Sequence, residues 1–244
     1  YRPYHFDDMF YISTNIDKST NFKLVKTPIS SPSKSNWEDV IPHRDDVLLE
    51  EVDFFRNFMV IGERNNGLLK IRIKSWDGTE DYYIGFKSGF DFEKETYNAS
   101  IDLNPDYDTN VLRYNYTSLT TPYSVIDYNV ETQEEEIKKQ QEVLGGKFDS
   151  KNYTSERLFA TAHDGIKIPI SIVRHVNTEL NQDTPILQYG YGSYGITIDP
   201  SFSSVRLSLL DRGFVFAIAH IRGSQYLGRP WYENGRMLSK KKYI

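Results

Sequence analysis

The sequence contains no cysteine. Disulfides, thiolate metal sites and a cysteine nucleophile are thereby excluded, while the redox compartment stays open. No apolar run approaches the roughly 18 residues that a membrane-spanning helix needs, and no signal peptide is visible. Positive charge is not in excess either. Lys and Arg number 29 against 34 Asp and Glu, a net charge of −5, which argues against a nucleic-acid binder that relies on neutralising phosphates. An initiator methionine is absent: the chain starts at Tyr1 inside a strand-like stretch and stops at Tyr243-Ile244 just after a lysine run. It therefore reads as a piece of a longer protein, and the lack of a signal peptide says little about export.

Also missing is the G-x-S-x-G turn that exposes a nucleophilic serine between a strand and a helix. Ser193 has Tyr191 where the first glycine should stand, and Ser224 follows Arg222-Gly223 without the second. Both read as loop serines. The five histidines, His5, His43, His163, His175 and His220, include no two at metal-ligand spacing on a common element. His163 reads as a turn residue and His220 as a residue at a strand end. No metal and no cofactor is expected.

What is present begins with β texture. Met9–Ile12, Phe22–Val25, Val47–Val52, Phe58–Ile61, Leu69–Ile73 and Asp81–Ile84 are short strand candidates, with β-branched and aromatic residues between turn signals. Asn65-Asn66-Gly67 and Asp77-Gly78 supply residues that tolerate the positive φ of tight hairpins. A faint repeat of about 45 residues is the length of a four-stranded blade. Its units run from near Phe6 to His43, Val47 to Phe86, and Tyr97 to Val143. Periodicity alone leaves a sandwich, a barrel and a propeller open. Thr132–Gln141, TQEEEIKKQQ, admits a helix or a solvated last strand, and the solvated edge before Gly145-Gly146 is the simpler reading.

Lys147–Ser155 then reads as a connector. Phe159–Ala162 and Ile168–Val173 flank His163-Asp164-Gly165 as a hairpin, in which Pro169 implies an edge strand or a bulge. The organising stretch follows, Thr184–Gly195 (TPILQYGYGSYG), with Gly213–Gly223 (GFVFAIAHIRG) as its echo. Pro185–Leu187 and Phe214–Ala219 are apolar runs without alternation, as in parallel strands covered on both faces. Between them Phe202, Val205, Leu207, Leu209 and Leu210 precede the helix stop Gly213. Chemistry belongs at the carboxyl ends of such strands.

Tyr189–Gly195 (YGYGSYG), Arg206-Leu207, Asp211–Phe214, Arg222-Gly223 and Trp231–Gly235 (WYENG) together resemble the start of the peptidase domain of the prolyl oligopeptidase family, and within it oligopeptidase B. The specific part of the match runs from about Phe159 to Ile244. The resemblance implies about three blades of a seven-bladed propeller over residues 1–155, then the first part of an α/β-hydrolase peptidase domain over 156–244. A fragment of that kind leaves open sheet edges. It further implies a serine peptidase that hydrolyses short basic peptides after Lys or Arg; charge and the lack of long apolar runs leave no nucleic-acid or membrane partner expected. Oligomeric state is left open. A cytoplasmic setting is implied, with a periplasmic one not excluded.

In the family the nucleophile, acid and base follow in a stretch beyond Ile244, as do the glutamates that read the residue at the cut. The fragment alone is therefore expected to be inactive. One catalytic part matches inside it: Tyr191 corresponds to the tyrosine whose phenol donates to the oxyanion, an aromatic that could equally be a packed loop residue. Gly190 and Gly192 let the backbone turn beside it. Asp199 corresponds to the first aspartate of a pair that serves a basic residue one step from the cut; with Ser201 in place of the second, selectivity there is in doubt, and capping the following helix is an alternative. Arg222 either braces the loops by pairing with a distant carboxylate or is an exposed cap. Ser224-Gln225 stands where relatives are richer in glycine and end in glutamate. These departures keep open a second class of function, a non-catalytic propeller-bearing binding or scaffold protein. Asn98-Ala99-Ser100, Asn115-Tyr116-Thr117 and Asn152-Tyr153-Thr154 fit the glycosylation triplet, which is common by chance.

Overall fold

The computed structural model describes residues 1–85, 96–146 and 148–242. Three four-stranded antiparallel sheets come first, each built from consecutive strands. The first holds β1 (Arg2–Phe6), β2 (Met9–Thr14), β3 (Lys23–Pro28) and β4 (Glu38–Ile41). The second holds β5 (Val47–Phe54), β6 (Phe58–Asn65), β7 (Leu68–Ser75) and β8 (Asp81–Tyr83). The third holds β9 (Tyr97–Ile101), β10 (Val111–Ser118), β11 (Ser124–Asn129) and β12 (Glu134–Gln140). These are the three repeat units seen in the sequence, and they pack as successive propeller blades. The end of the second unit, Phe86, lies outside the described residues, as does Lys147 at the head of the connector.

Alternation explains the blades. In β7, Leu69, Ile71 and Ile73 are buried while Lys70, Arg72 and Lys74 are not, as the two-residue period of a pleated strand requires. The buried faces meet between neighbouring blades. Tyr11, Leu24 and Ile41 of the first pack on Leu49, Val52, Met59 and Ile61 of the second, and Val60, Ile71 and Ile73 of the second pack on Leu112, Tyr114 and Ile126 of the third. The β6–β7 hairpin turns at Asn66 (φ 49°) and Gly67 (φ 82°), the positive pair that a two-residue hairpin demands. Within TQEEEIKKQQ, Glu134–Gln140 form β12, an outer strand with most side chains exposed. Charge on an edge of this kind discourages further pairing.

A fourth sheet has the order β13 (Tyr153–Thr161), β14 (Lys167–His175), β16 (Val215–Ala219), β15 (Ile186–Gly190). β15 and β16 are parallel, and helix α1 (Ser204–Leu210) lies between them in sequence. Two sequence expectations change here. Pro169 belongs to neither an edge nor a bulge: β14 is an inner strand that pairs without interruption with β13, Pro169 opposite Phe159. Its carbonyl accepts from His220 N at 2.9 Å, so its missing N–H lies on the β16 side, one position past the Ile170–Ala219 end of that ladder. The reciprocal bond to the His220 carbonyl, which a proline cannot donate, is replaced by one from Trp231 Nε1 at 3.0 Å. The second change is β15, which is exposed along its length, with Ile186 62% accessible. It is an edge strand, and α1 packs over β14 and β16. The connector is also shorter than read, because Asp149 caps a short turn over Ser150–Asn152 and β13 starts at Tyr153.

The third blade and the fourth sheet share a core of Leu119, Val173, Leu210 and Ile218. Thr117 Oγ1 accepts from Phe202 N at 3.1 Å, and the Thr96 and Ser155 hydroxyls are 2.6 Å apart. Blades and fourth sheet thus meet over a continuous contact rather than through the connector alone.

Candidate active-site loop and interdomain cleft

The loop after β15 carries Tyr191 and Asp199. Its course is set by a second loop, residues 220–228, which follows β16. A side chain at Gly192 would collide with the Arg222 carbonyl and come within 2.7 Å of Ile221 Cγ1, so only glycine allows the two backbones to lie this close. Gly195 N donates to Gly223 O at 3.0 Å, and Gln225 N donates to Thr197 Oγ1 at 3.2 Å. Behind them Gly223 N donates to Trp231 O, and Trp231 Nε1 donates to His220 O, both at 3.0 Å. WYENG therefore supports the loop that supports Tyr191.

Tyr191 itself is half-buried at the carboxyl end of β15. Among the described residues no group hydrogen-bonds its hydroxyl. Ser224 is buried and donates to the Ile221 carbonyl at 2.9 Å, a structural serine. It does not adopt the left-handed conformation, which falls on Gly223 (φ 93°), so its Cβ brings no strain. Gln225 uses its amide to donate to Gly195 O at 3.4 Å, a bond that glutamate would not donate at neutral pH. Arg222 is neither exposed nor a cap. It is 4% accessible and pairs with Asp164 in the β13–β14 turn, joining the loop to the sheet's far hairpin.

Asp199 is where the structure departs most from the sequence reading. The helix N-cap position is Ser203, not Asp199. Both Asp199 oxygens are held by Arg64 of β6, Nη1 to Oδ1 at 2.6 Å and Nη2 to Oδ2 at 2.9 Å. Arg64 is buried, and its Nε donates to Glu50 of β5. Burial opposes the Arg64 charge, but Asp199 and Glu50 together outweigh it and raise its pKa above the ordinary arginine range. Forked pairing of this type suits guanidinium geometry.

Beside this pair Tyr226, 1% accessible, stacks on His220 with ring centroids 3.6 Å apart and planes within 5°. Its ring fills the space over Gly67, where an added Cβ would lie 2.7 Å from Tyr226 Cζ. Asn21 Oδ1 accepts from Arg229 N at 2.8 Å and extends the contact to the first blade. Arg64, Glu50, Asn21 and Tyr226 carry no motif that marks them in the sequence. A positive-φ turn at Asn66-Gly67 was the only local signal near them.

His220 reports on this environment. Burial, then the Arg157 and Arg64 charges, push its pKa down to about 3, and Ser171 Oγ lies 2.7 Å from its Nε2. The ring is neutral in the folded chain at neutral pH and is no titrating base. Unfolding restores a value near 6.5, so the unfolded state takes up a proton that the folded state refuses as pH falls below 6.5. Stability is retained above that pH and declines towards pH 3. A fall of about 2 kcal/mol is expected by pH 5, and urea unfolding across pH 5–8 should show this slope flattened in His220→Gln.

A cleft of about 540 Å³ opens between the blades and this loop, lined among others by Arg2, Glu50, Arg64, Asp199, Gln225 and Arg229. Another, of about 600 Å³, lies at the amino ends of β15 and β16, away from Tyr191. Among the described residues no group of three or more His, Asp or Glu is placed to hold a metal ion, and no helix is long and apolar enough to cross a membrane.

A three-bladed array joined to a sheet whose crossover loop carries YGYGSYG is the arrangement of a propeller followed by the start of an α/β-hydrolase domain, and the chain belongs to the prolyl oligopeptidase family. The N-terminal beta-propeller domain of that family matches residues 2–141, and the prolyl oligopeptidase peptidase family matches residues 200–244. The chain is 42% identical over 241 residues to dipeptidyl aminopeptidase BI of Pseudoxanthomonas mexicana, covering 98% of this chain and 32% of that protein. It is 32% identical to protease 2 of Moraxella lacunata, covering 97% and 33%. Oligopeptidase B from Leishmania major superposes with a TM-score of 0.89 at 34% identity, over 99% of this chain and 34% of that one. The chain thus spans about a third of the length of the relatives it matches.

Proposed function

We propose that the protein to which this chain belongs is a serine oligopeptidase that hydrolyses short peptides after Lys or Arg through an acyl-enzyme, the propeller restricting access. The observation that carries this reading is Tyr191, whose half-buried phenol lies at the carboxyl end of β15 with its hydroxyl hydrogen-bonded to no other described residue. A neutral donor held in place before the reaction stabilises an oxyanion without reorganising at the moment of attack. Likeness to protease 2 and to oligopeptidase B supports the basic preference. The 244 residues hold no G-x-S-x-G serine, and His220 is buried and neutral. Alone they supply neither nucleophile nor base, so no turnover is expected of them.

The test uses the whole protein and the 244-residue chain side by side, with an arginyl coumarin amide and a fluorophosphonate probe. Turnover and labelling of the first, with neither for the second, is the expected result. Labelling at Ser193 or Ser224 would relocate the nucleophile, and an inert whole protein would favour the non-catalytic reading. The 42% identity to dipeptidyl aminopeptidase BI favours one variation, release of dipeptides from a free amino terminus. Comparing free and acetylated substrates separates the two modes.

A further inference from the structure

The cleft between the blades and the Tyr191 loop is lined by two carboxylates, Glu50 and Asp199, and by three guanidinium groups, Arg2, Arg64 and Arg229. Its acids are already in use. Arg64 takes one oxygen of Glu50 and both oxygens of Asp199. The side chains are 3% accessible for Arg64, 15% for Asp199 and 30% for Glu50, so the arginine is the wall and the carboxylates face the opening.

We infer that Arg64 is a specificity-determining residue of this cleft: it occupies the place at Asp199 that a substrate's cationic side chain would take, so the subsite does not select a basic residue. This rests on the peptidase reading above and on the resemblance that assigns Asp199 to the residue one step from the cut. A tethered arginine competes at high effective concentration. Displacing it would strand a buried guanidinium without its forked partner, a cost that an exposed substrate cation cannot offset. Arg2 on the same lining adds repulsion, whereas the charge of Arg229 is paired with Glu233 at 3.0 Å. Ser201, in place of a second aspartate, leaves no further acid on the loop.

Two substrates of the whole protein decide the matter, the coumarin amides of Arg-Arg and Leu-Arg. They share the same free amine and the same leaving bond, so the ratio of their kcat/KM values isolates the subsite. The expected ratio for the wild type is near unity. In Arg64→Met, which keeps the stem and frees both acids, Arg-Arg should gain roughly tenfold or more over Leu-Arg, the size of one charge-assisted hydrogen bond. Arg64→Met/Asp199→Asn should lose that gain, and Arg64→Lys, charged but without the fork, should fall between. A wild-type ratio already above about tenfold overturns the inference, as does an unchanged ratio in an Arg64→Met protein that still turns over Leu-Arg. If Arg64→Met does not fold, the wild-type and Arg64→Lys ratios decide the question by themselves. Failure of the wild type on both substrates would instead sink the peptidase reading.

Discussion

Asp199→Ala is expected to lower the stability of the folded chain by about 3 kcal/mol, because it leaves the Arg64 guanidinium buried without its forked partner. The estimate sits at the low end for a broken buried pair. Glu50 still holds Nε, and the Gly67 carbonyl still accepts from Nη1 at 3.3 Å. The same argument predicts that Arg64→Met/Asp199→Ala costs less than Asp199→Ala, since removing both charges removes the desolvation penalty with the attraction. Salt should weaken the wild-type pair little, because it is shielded from counterions by burial. Urea unfolding of the four proteins, Arg64→Met included, completes the cycle. A loss below about 0.5 kcal/mol for Asp199→Ala would place the pair among ordinary surface substitutions, and the blades would then be held to the fourth sheet and its loops by the shared apolar core and by the Thr117, Thr96 and Asn21 hydrogen bonds.

The second large effect concerns catalysis by the whole protein. Tyr191→Phe should lower kcat by roughly 10²–10³, with KM largely unchanged. The phenol is asked to donate to the charged transition state, and little of that interaction exists in the ground state. Folding should not change, since the aromatic ring is kept and no described residue bonds the hydroxyl. Steady-state kinetics on arginyl ester and amide substrates gives the check. An unaltered kcat removes the oxyanion assignment, and a rise in KM alone would recast Tyr191 as a binding residue.

Particular elements show how far local pattern carries. Leu69, Ile71 and Ile73 alternate with Lys70, Arg72 and Lys74, so β7 was legible from its residues alone, as was the turn at Asn66-Gly67. TQEEEIKKQQ could be placed as a solvated strand because its charges suit an outer edge. The run Phe214–Ala219 announced a buried parallel strand, and β16 is one. Pro185–Leu187 carried the same signal, yet β15 is an exposed edge. An apolar run records what a strand is suited to lie beneath, not which elements cover it in a given chain.

Alternation, turn residues and apolar runs act over a few positions, so side-chain sterics place the strands, the hairpins and the crossover, while the resemblance carried by YGYGSYG was needed to read the strands as blades and to single out Tyr191. The partners of the charged groups obey no such rule. Arg64 and Asp199 are separated by 135 residues, and nothing near either one distinguishes a free carboxylate from one already held. Only the packing of blades against the fourth sheet and its loops brings them together, buries the arginine and keeps His220 neutral. Burial and charge pairing depend on distances across the whole fold, which is why the loop was legible in the sequence and the state of its carboxylate was not.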